Sequence, residues 1–181
     1  GGTFNPPHNG HKMIINQCSS MFDKLLVFPN NISPDKKKDT LISSIHRINM
    51  LKMIINKNNV IIDEFELQSD EISYTYYTLK YLIDNYKDYK ITMILGKDQL
   101  LNLTNWYKSD YILKNVNVLC YNRSINHNPK IFKLNNMDLK EFDFPYSSTY
   151  IRESIKNNQI LDQNVISNSM IEYINKNNLY R

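Results

Sequence analysis

Apolar runs of strand length alternate along this chain with longer stretches whose apolar residues recur at helical spacing. Lys24–Pro29 reads as a short buried strand. Ile42–Asn56 predicts a helix, with Ile45, Ile48, Met50, Leu51, Ile54 and Ile55 near helical spacing. Val60–Leu67 predicts a strand, Thr75–Tyr86 a helix with Leu79, Leu82 and Ile83 on one face, and Ile91–Leu95 a strand ended by Gly96. Trp106–Leu113 reads as a short helix, Val116–Tyr121 as a strand, and Thr149–Asn157 and Val165–Asn175 as the closing helices. Continuous apolar strands between helices predict an α/β fold, a doubly wound parallel sheet with helices on both faces. No repeat, linker or composition break divides residues 1–181, so a single domain is expected. The glycine loop Gly1-Gly2-Thr3 should follow a strand, which would precede residue 1.

Open α/β sheets bind ligands beyond the carboxyl ends of their strands. Attention therefore falls on Gly1–His11, Asn30–Lys38, the stretch after Leu67, and Gly96–Trp106. The first of these reads GGTFNPPHNGH. Its two glycines let backbone approach a ligand closely, and Pro6 and Pro7 bar helix until about Asn9-Gly10. From there Met13, Ile14, Ile15 and Cys18 continue a helical pattern. His8 and His11, three apart at this helix start, can face one site beside free backbone N–H groups and the positive end of the helix dipole. That is a phosphate site with two proton-bearing donors. Metal binding by the pair lacks further ligands of suitable spacing. His46 and His127 have no such context and take a structural reading.

Near the other end, Ser147, Ser148 and Thr149 precede an amphipathic helix, with Arg152 about one turn in. Ser and Thr here serve as helix caps in the simpler reading. The sharper reading is a second anion site, where hydroxyls, N–H groups and a guanidinium converge.

Composition changes the picture little. A hydrophobic share of 41% and a charged share of 22% suit an ordinary globular protein. The net charge of +4 fits an anionic small substrate without requiring nucleic acid. No apolar run reaches transmembrane length, so no membrane partner is expected, and so mild a charge leaves nucleic acid outside the expected partners. Cys18 and Cys120 form no CxxC pair, which points to a reducing compartment and a cytoplasmic location. Targeting is not legible, because the chain opens on Gly1 without Met. The lysine run Lys36–Lys38 reads as solvated loop, and a homo-oligomer is one expectation, with exposed aromatic residues as its surface.

His8-Asn9-Gly10-His11 resembles the His-x-Gly-His signature of the nucleotidyltransferase superfamily, and residues 147–152 resemble its second phosphate motif, Ser-x-Thr-x-x-Arg. The preceding GGTFNPP resembles the first loop of bacterial-type nicotinate mononucleotide adenylyltransferases, which usually carry Asp where this chain has Asn5. That departure is expected to affect loop structure more than chemistry. Ser73-Tyr74-Thr75 with Thr78-Leu79 resembles a further motif of that family, as do residues 94–107 (ILGKDQLLNLTNWY) and the ending Tyr173–Arg181. The resemblance implies a Rossmann-like nucleotidyltransferase fold, and AMP transfer from ATP to nicotinate mononucleotide to give deamido-NAD and pyrophosphate.

By the same resemblance, Gly2, Thr3, Phe4, His8, His11, Gly96, Asp98, Ser147, Ser148, Thr149 and Arg152 would hold ATP, with Asp98 accepting from ribose hydroxyls. Asn31, Lys36, Tyr74, Thr75, Trp106 and Tyr107 would hold the mononucleotide. Trp106 would stack on the pyridine ring, although core packing is the usual fate of a single Trp. Thr75 and backbone near Tyr107 would supply donors to the nicotinate carboxylate. Where relatives often read Asn-x-x-Pro-Pro-His-Lys, this chain has Asp35 in place of His, and Lys36 keeps the basic position. Arg47 is expected either to pair with the same phosphate or to form a surface salt bridge. The catalytic expectation rests on His11 at the α-phosphoryl oxygens, with His8 and Arg152 on the β,γ-phosphates. Mg²⁺ would bridge phosphate oxygens and take no dedicated protein ligand. The rivals are a phosphopantetheine or amide-mononucleotide adenylyltransferase on the same frame, and a non-catalytic nucleotide-binding module.

Overall fold

The computed structural model describes residues 1–34, 41–123 and 137–181. They form two compact units, Gly1–Ile72 with Tyr146–Arg181, and Ser73–Pro145.

The first unit holds α1 (Asn9–Ser19), β1 (Leu25–Val27), α2 (Ser44–Ile54), β2 (Val60–Ile62), α6 (Ser148–Lys156) and α7 (Asn168–Lys176). Strands β1 and β2 pair in parallel, Leu25 against Val60 and Val27 against Ile62. A parallel pair needs a long crossover, and α2 lies within it. Two further parallel bridges, Gly2 with Pro29 and Ile32 with Ile72, extend the strand-like pairing towards the chain's opening loop. Helix α2 buries Ile48, Met50, Leu51 and Ile54 of the stripe that its sequence spacing predicts, whereas Ile45 in its first turn is exposed and Ile55 half-buried. Helix α7 buries Met170 and Ile174, and α6 buries Ile151, all fully. Tyr173 links α7 to α2: its hydroxyl lies 2.9 Å from His46 Nδ1 and accepts from the Asn49 amide at 3.1 Å. His46 thus has the structural role read from its sequence context, whereas His127 lies outside the described residues.

Both C-terminal helices end on asparagine in the left-handed region, Asn158 at φ 52° and Asn178 at φ 51°. The N–H groups of Asn158 and Gln159 return to Ile155 and Ser154, and those of Asn178 and Leu179 to Asn175 and Ile174. These paired return bonds satisfy carbonyls that a helix end leaves open, and Asn tolerates the left-handed backbone better than most residues. Leu179 is buried beyond the α7 cap, as is Ile174 at the carbonyl to which it returns. Tyr180 follows at φ 65°, a conformation that costs a bulky residue roughly 1–2 kcal/mol.

Arg47 of α2 is buried, with 1% exposure. Its Nη1 donates to the carbonyls of Thr3 at 2.9 Å and Asn30 at 2.7 Å. The sequence-based choice between a phosphate contact and a surface salt bridge is therefore replaced by a third role, a strut between the opening loop and the chain after β1. Burial lowers the Arg47 pKa below its ordinary value, and neighbouring Tyr180 opposes that shift.

The second unit holds α3 (Thr75–Asn85), β3 (Thr92–Gly96), α4 (Lys97–Asn102), α5 (Ser109–Asn115), β4 (Asn117–Arg123) and β5 (Met137–Phe142). The strands form a parallel sheet in the order β3-β4-β5, with Leu95 opposite Cys120 and Cys120 opposite Leu139. Leu79, Leu95, Leu103, Ile112, Val116 and Val118 form its buried core, and Trp106 packs partly buried against them. All named strand pairs are parallel, as the alternation of apolar runs and helical patterns predicts.

Three local expectations change. The strand expected over Val60–Leu67 stops at Ile62, and Phe65–Leu67 is a 3₁₀ turn. Asp63 Oδ1 accepts the N–H of Phe65 at 3.0 Å, and this side-chain turn takes the backbone out of the sheet. The helix expected over Trp106–Leu113 lies later, at Ser109–Asn115. Lys108 sits in the left-handed region at φ 56°, and Ser109 Oγ donates back to the Thr104 carbonyl, so helix begins only after this turn. Strand β5 and helix α4 were not anticipated from the pattern; β5 lacks a continuous apolar run.

Ile112 is fully buried and Ile160 fully exposed. Ile112→Ala should lower unfolding stability by about 2–5 kcal/mol in urea titration, while Ile160→Ala stays within about 0.5 kcal/mol. Equal midpoints for the two would contradict this core. Arg47→Met removes a donor from two carbonyls of the first unit and should cost about 1–3 kcal/mol for each one left unpaired, read from the same titration. A variant as stable as the parent would show that Arg47 is not a strut.

Candidate active site

The opening loop is held backbone by backbone. Gly2 N–H donates to Phe28 and its carbonyl accepts from Asn30, both at 3.0 Å, so the loop leaves directly from a strand-like pairing. Phe4 follows at φ 49°, buried despite the strained backbone, with its ring edge-on to His11 at 5.0 Å. Asn5 is buried at 3% exposure. Its carbonyl accepts from Arg152 Nη1 at 2.8 Å and its side-chain oxygen from the Tyr180 hydroxyl at 2.9 Å. The next carbonyl, Pro6, accepts from Ser148 Oγ at 2.9 Å.

His8 is the N-cap of α1, extended and 2% exposed, and its carbonyl takes the first helical bond from Lys12. The N–H of His8 donates to His11 Nδ1 at 3.2 Å, and the two rings lie 3.8 Å apart. A neutral imidazole accepting at Nδ1 carries its proton on Nε2, so this bond gives His11 an Nε2–H donor. His11 itself is half-buried. Asn9 N–H donates to the Val165 carbonyl, and the Asn9 amide to the Gln163 carbonyl at 2.7 Å, which anchors the first turn of α1.

The start of α6 contributes the partner group. Ser147 is its N-cap and accepts the Tyr150 N–H at 3.2 Å, the capping role that its sequence also suggested. Thr149 Oγ1 accepts from Arg152 Nη2 at 3.2 Å. Arg152 therefore reaches the opening loop through one terminal nitrogen and its own helix start through the other. His8, His11, Ser148 and Arg152, remote in the chain, all border the turn Asn5–His8. Electrostatics at this turn are cationic: Arg152 and Arg47 both act on Tyr180, although burial outweighs them and raises its phenol pKa.

In the second unit, Gly96 ends β3 and caps α4. Asp98 lies exposed in the first turn of α4, where a carboxylate suits the dipole. A Cβ on Gly96 would sit 2.6 Å from Asp98 Oδ1, so glycine lets this carboxylate fold back over the strand end. Tyr74 is the N-cap of α3 and Thr75 its first residue. The Tyr74 and Tyr107 rings lie 5.1 Å apart, so the start of α3 and the Trp106-Tyr107 segment meet. Tyr76 joins them, edge-on to Tyr107 at 5.5 Å and to Tyr111 at 5.2 Å. Cys120 lies buried on β4, where burial first and Asp98 second raise its thiol pKa, against Lys97.

Of the remaining sequence candidates, Asn31 donates its amide to the Ser69 carbonyl at 2.7 Å in the first unit. Lys36 lies outside the described residues. Sequence reasoning missed Arg47 as a strut, Asn5 as a junction and Tyr180 as its donor. The ending Tyr173–Arg181 was a family likeness only, and no periodicity singled out Tyr180. Among the described residues no three His, Cys, Asp or Glu side chains gather as a metal cage, and no helix is long and apolar enough to cross a membrane.

Comparison with known proteins shows the family. The cytidylyltransferase-like family model matches residues 1–154. Nicotinate-nucleotide adenylyltransferase of Bacillus subtilis (strain 168) is 33% identical, over 99% of this chain and 95% of that protein. The structure of Plasmodium falciparum nicotinic acid mononucleotide adenylyltransferase complexed with APC superposes with a TM-score of 0.77 at 20% identity, covering 99% of this chain and 94% of that one. The same enzyme complexed with NaAD gives 0.76 at 23% identity, with the same coverage of each chain. At these identities the two structures establish a shared nucleotidyltransferase fold. With the family match over most of its length and the relative aligned across nearly all of it, the chain belongs to the cytidylyltransferase-like family and, within it, to the nicotinate-nucleotide adenylyltransferases.

Proposed function

We propose that this chain transfers AMP from ATP to nicotinate mononucleotide, releasing pyrophosphate and forming deamido-NAD. The carrying observation is the meeting of the opening loop with the start of α6 through Ser148–Pro6 and Arg152–Asn5. It draws two helix N-termini, two imidazoles and a guanidinium to one turn of the first unit. Such a set suits a polyphosphate, whose oxygens accept from N–H groups and fixed cations.

The mononucleotide phosphate is already ionised at neutral pH and needs no general base. It attacks the α-phosphorus in line: a bond forms from the mononucleotide phosphate oxygen to that phosphorus, and the bond from that phosphorus to the α,β-bridging oxygen breaks, with pyrophosphate as leaving group. The protein's task is to hold two anions that repel each other and to stabilise charge that grows on transfer. His11 offers its Nε2–H to the α-phosphoryl oxygens, while His8 and Arg152 hold the leaving phosphates. Gly2, Thr3 and Phe4 bring backbone close to the nucleotide, Ser147, Ser148 and Thr149 add the α6 terminus, and Gly96 and Asp98 serve the adenosine side. Tyr74, Thr75, Trp106 and Tyr107, grouped around the start of α3, bind the nicotinate half with Asn31 and Lys36.

A divalent cation accompanies ATP in such chemistry, and Mg²⁺ is our reading of it. Such a cation would offset phosphate charge while held mainly by substrate and water, so no protein ligand is assigned to it. The same reading treats residues 1–181 as one nucleotidyltransferase domain acting in the cytoplasm.

Pyrophosphate release with ATP and nicotinate mononucleotide tests the proposal. Faster release with the amide mononucleotide or with phosphopantetheine would assign a different acceptor, and no release with any of them would leave a nucleotide-binding module. His11→Ala should lower kcat by about 100-fold or more with little change in mononucleotide binding. Trp106→Ala should raise KM for the mononucleotide, on the order of 10-fold, in line with loss of about 1–3 kcal/mol of stacking. An unchanged KM would return Trp106 to a purely core role.

A further inference from the structure

The opening loop is tied not only by the two motifs that flank it in function but also by the chain's last turn. Tyr180 donates to Asn5 Oδ1 at 2.9 Å across 175 positions of sequence. Its own placement is over-determined. The left-handed cap at Asn178, the return bond from Leu179 to Ile174 and the buried Leu179 side chain lead the backbone into a second left-handed residue at Tyr180. A bulky residue keeps such a conformation only where its surroundings enforce it, and residues of this kind cluster at functional sites. Asn5 is the receiving end, a buried junction whose backbone carbonyl also takes Arg152. Phe4 beside it is strained in the same sense and packs on His11.

We propose that Tyr180 is a positioning residue for the AMP-transfer reaction, its hydroxyl fixing Asn5 and, through Asn5, the turn that presents His8 and His11. This rests on the reading of His8 and His11 as the phosphate site. The phenol is suited to the task because burial raises its pKa against the pull of Arg152 and Arg47, so it remains a donor throughout the neutral range. Tyr180 touches no reacting atom; it acts through the geometry of the loop.

Tyr180→Phe keeps the ring and deletes the donor. Tyr173→Phe is the matched control, since its hydroxyl pairs instead with His46 and Asn49. Tyr180→Phe should lower kcat by about 5- to 30-fold, within the range that a small misplacement produces, with KM for ATP moved by about twofold or less. Tyr173→Phe should lose a similar amount of thermal stability and keep kcat within about twofold of the parent, because the two variants each delete one comparable hydroxyl contact. In an Asn5→Ala background, Tyr180→Phe should have no further effect, since coupled residues are non-additive. The ring proton resonances of His8 and His11 should shift in Tyr180→Phe, and that of His46 in Tyr173→Phe.

Unchanged kcat and unmoved His8 and His11 resonances in Tyr180→Phe would overturn the proposal. So would a full additive loss in the Asn5→Ala background, or an equal kcat loss in Tyr173→Phe. Shifted resonances in a parent protein that releases no pyrophosphate would instead sustain the clamp and sink the catalytic reading on which its purpose rests.

Discussion

The structure of the first unit turns on a short stretch of backbone whose carbonyls point at donors from elsewhere in the chain. Thr3, Asn5 and Pro6 accept in turn from Arg47, Arg152 and Ser148, and the Asn5 side chain accepts from Tyr180. A buried carbonyl without a partner is costly, so each bond fixes the loop as firmly as it satisfies it. Two guanidiniums, Arg47 buried and Arg152 half-buried, donate here to backbone carbonyls, whose oxygens carry no net charge, so these bonds satisfy the cations without neutralising them.

A phosphate-transfer site gains most when its donors are oriented before the reaction begins. Here the orientation begins with the backbone. His8 spends its N–H on His11 Nδ1, which sets the tautomer of the second imidazole and puts its proton on Nε2. Phe4 holds the same ring from its edge. The α6 start shows a like economy: Ser147 caps, Thr149 steadies Arg152, and Arg152 bridges to Asn5. The capping reading of this motif is met by the Ser147 oxygen, while Ser148 and Arg152 bond to the Pro6 and Asn5 carbonyls and so join the motif to the opening loop.

In the second unit the same logic is aromatic. Tyr74, Tyr76 and Tyr107 share ring contacts at the start of α3, and Trp106 lies against the core beside them. Aromatic edges and faces attract weakly but additively, which gives the Trp106-Tyr107 turn a fixed backing. Gly96 and Asp98 sit at the end of β3, where open α/β sheets place ligand contacts.

Much of this was legible in the chain alone. The alternation of apolar runs with helical spacing determined parallel strands and the helices between them, because buried strands and amphipathic helices leave different periods. The Gly-Gly and Pro-Pro pair followed by His8 and His11 determined a loop feeding a helix start, since the local dihedral limits of those residues permit little else. Arg47, Asn5 and Tyr180 were decided only by tertiary structure, whereas the element boundaries at Ile62 and Lys108 answer to local turns. The strand end at Ile62 and the helix start after Lys108 depend on side-chain turns that no period records. Arg47, Arg152 and Tyr180 meet the opening loop across 44, 147 and 175 positions, and a hydrogen bond of that reach exists only once the fold has brought its donor and acceptor together.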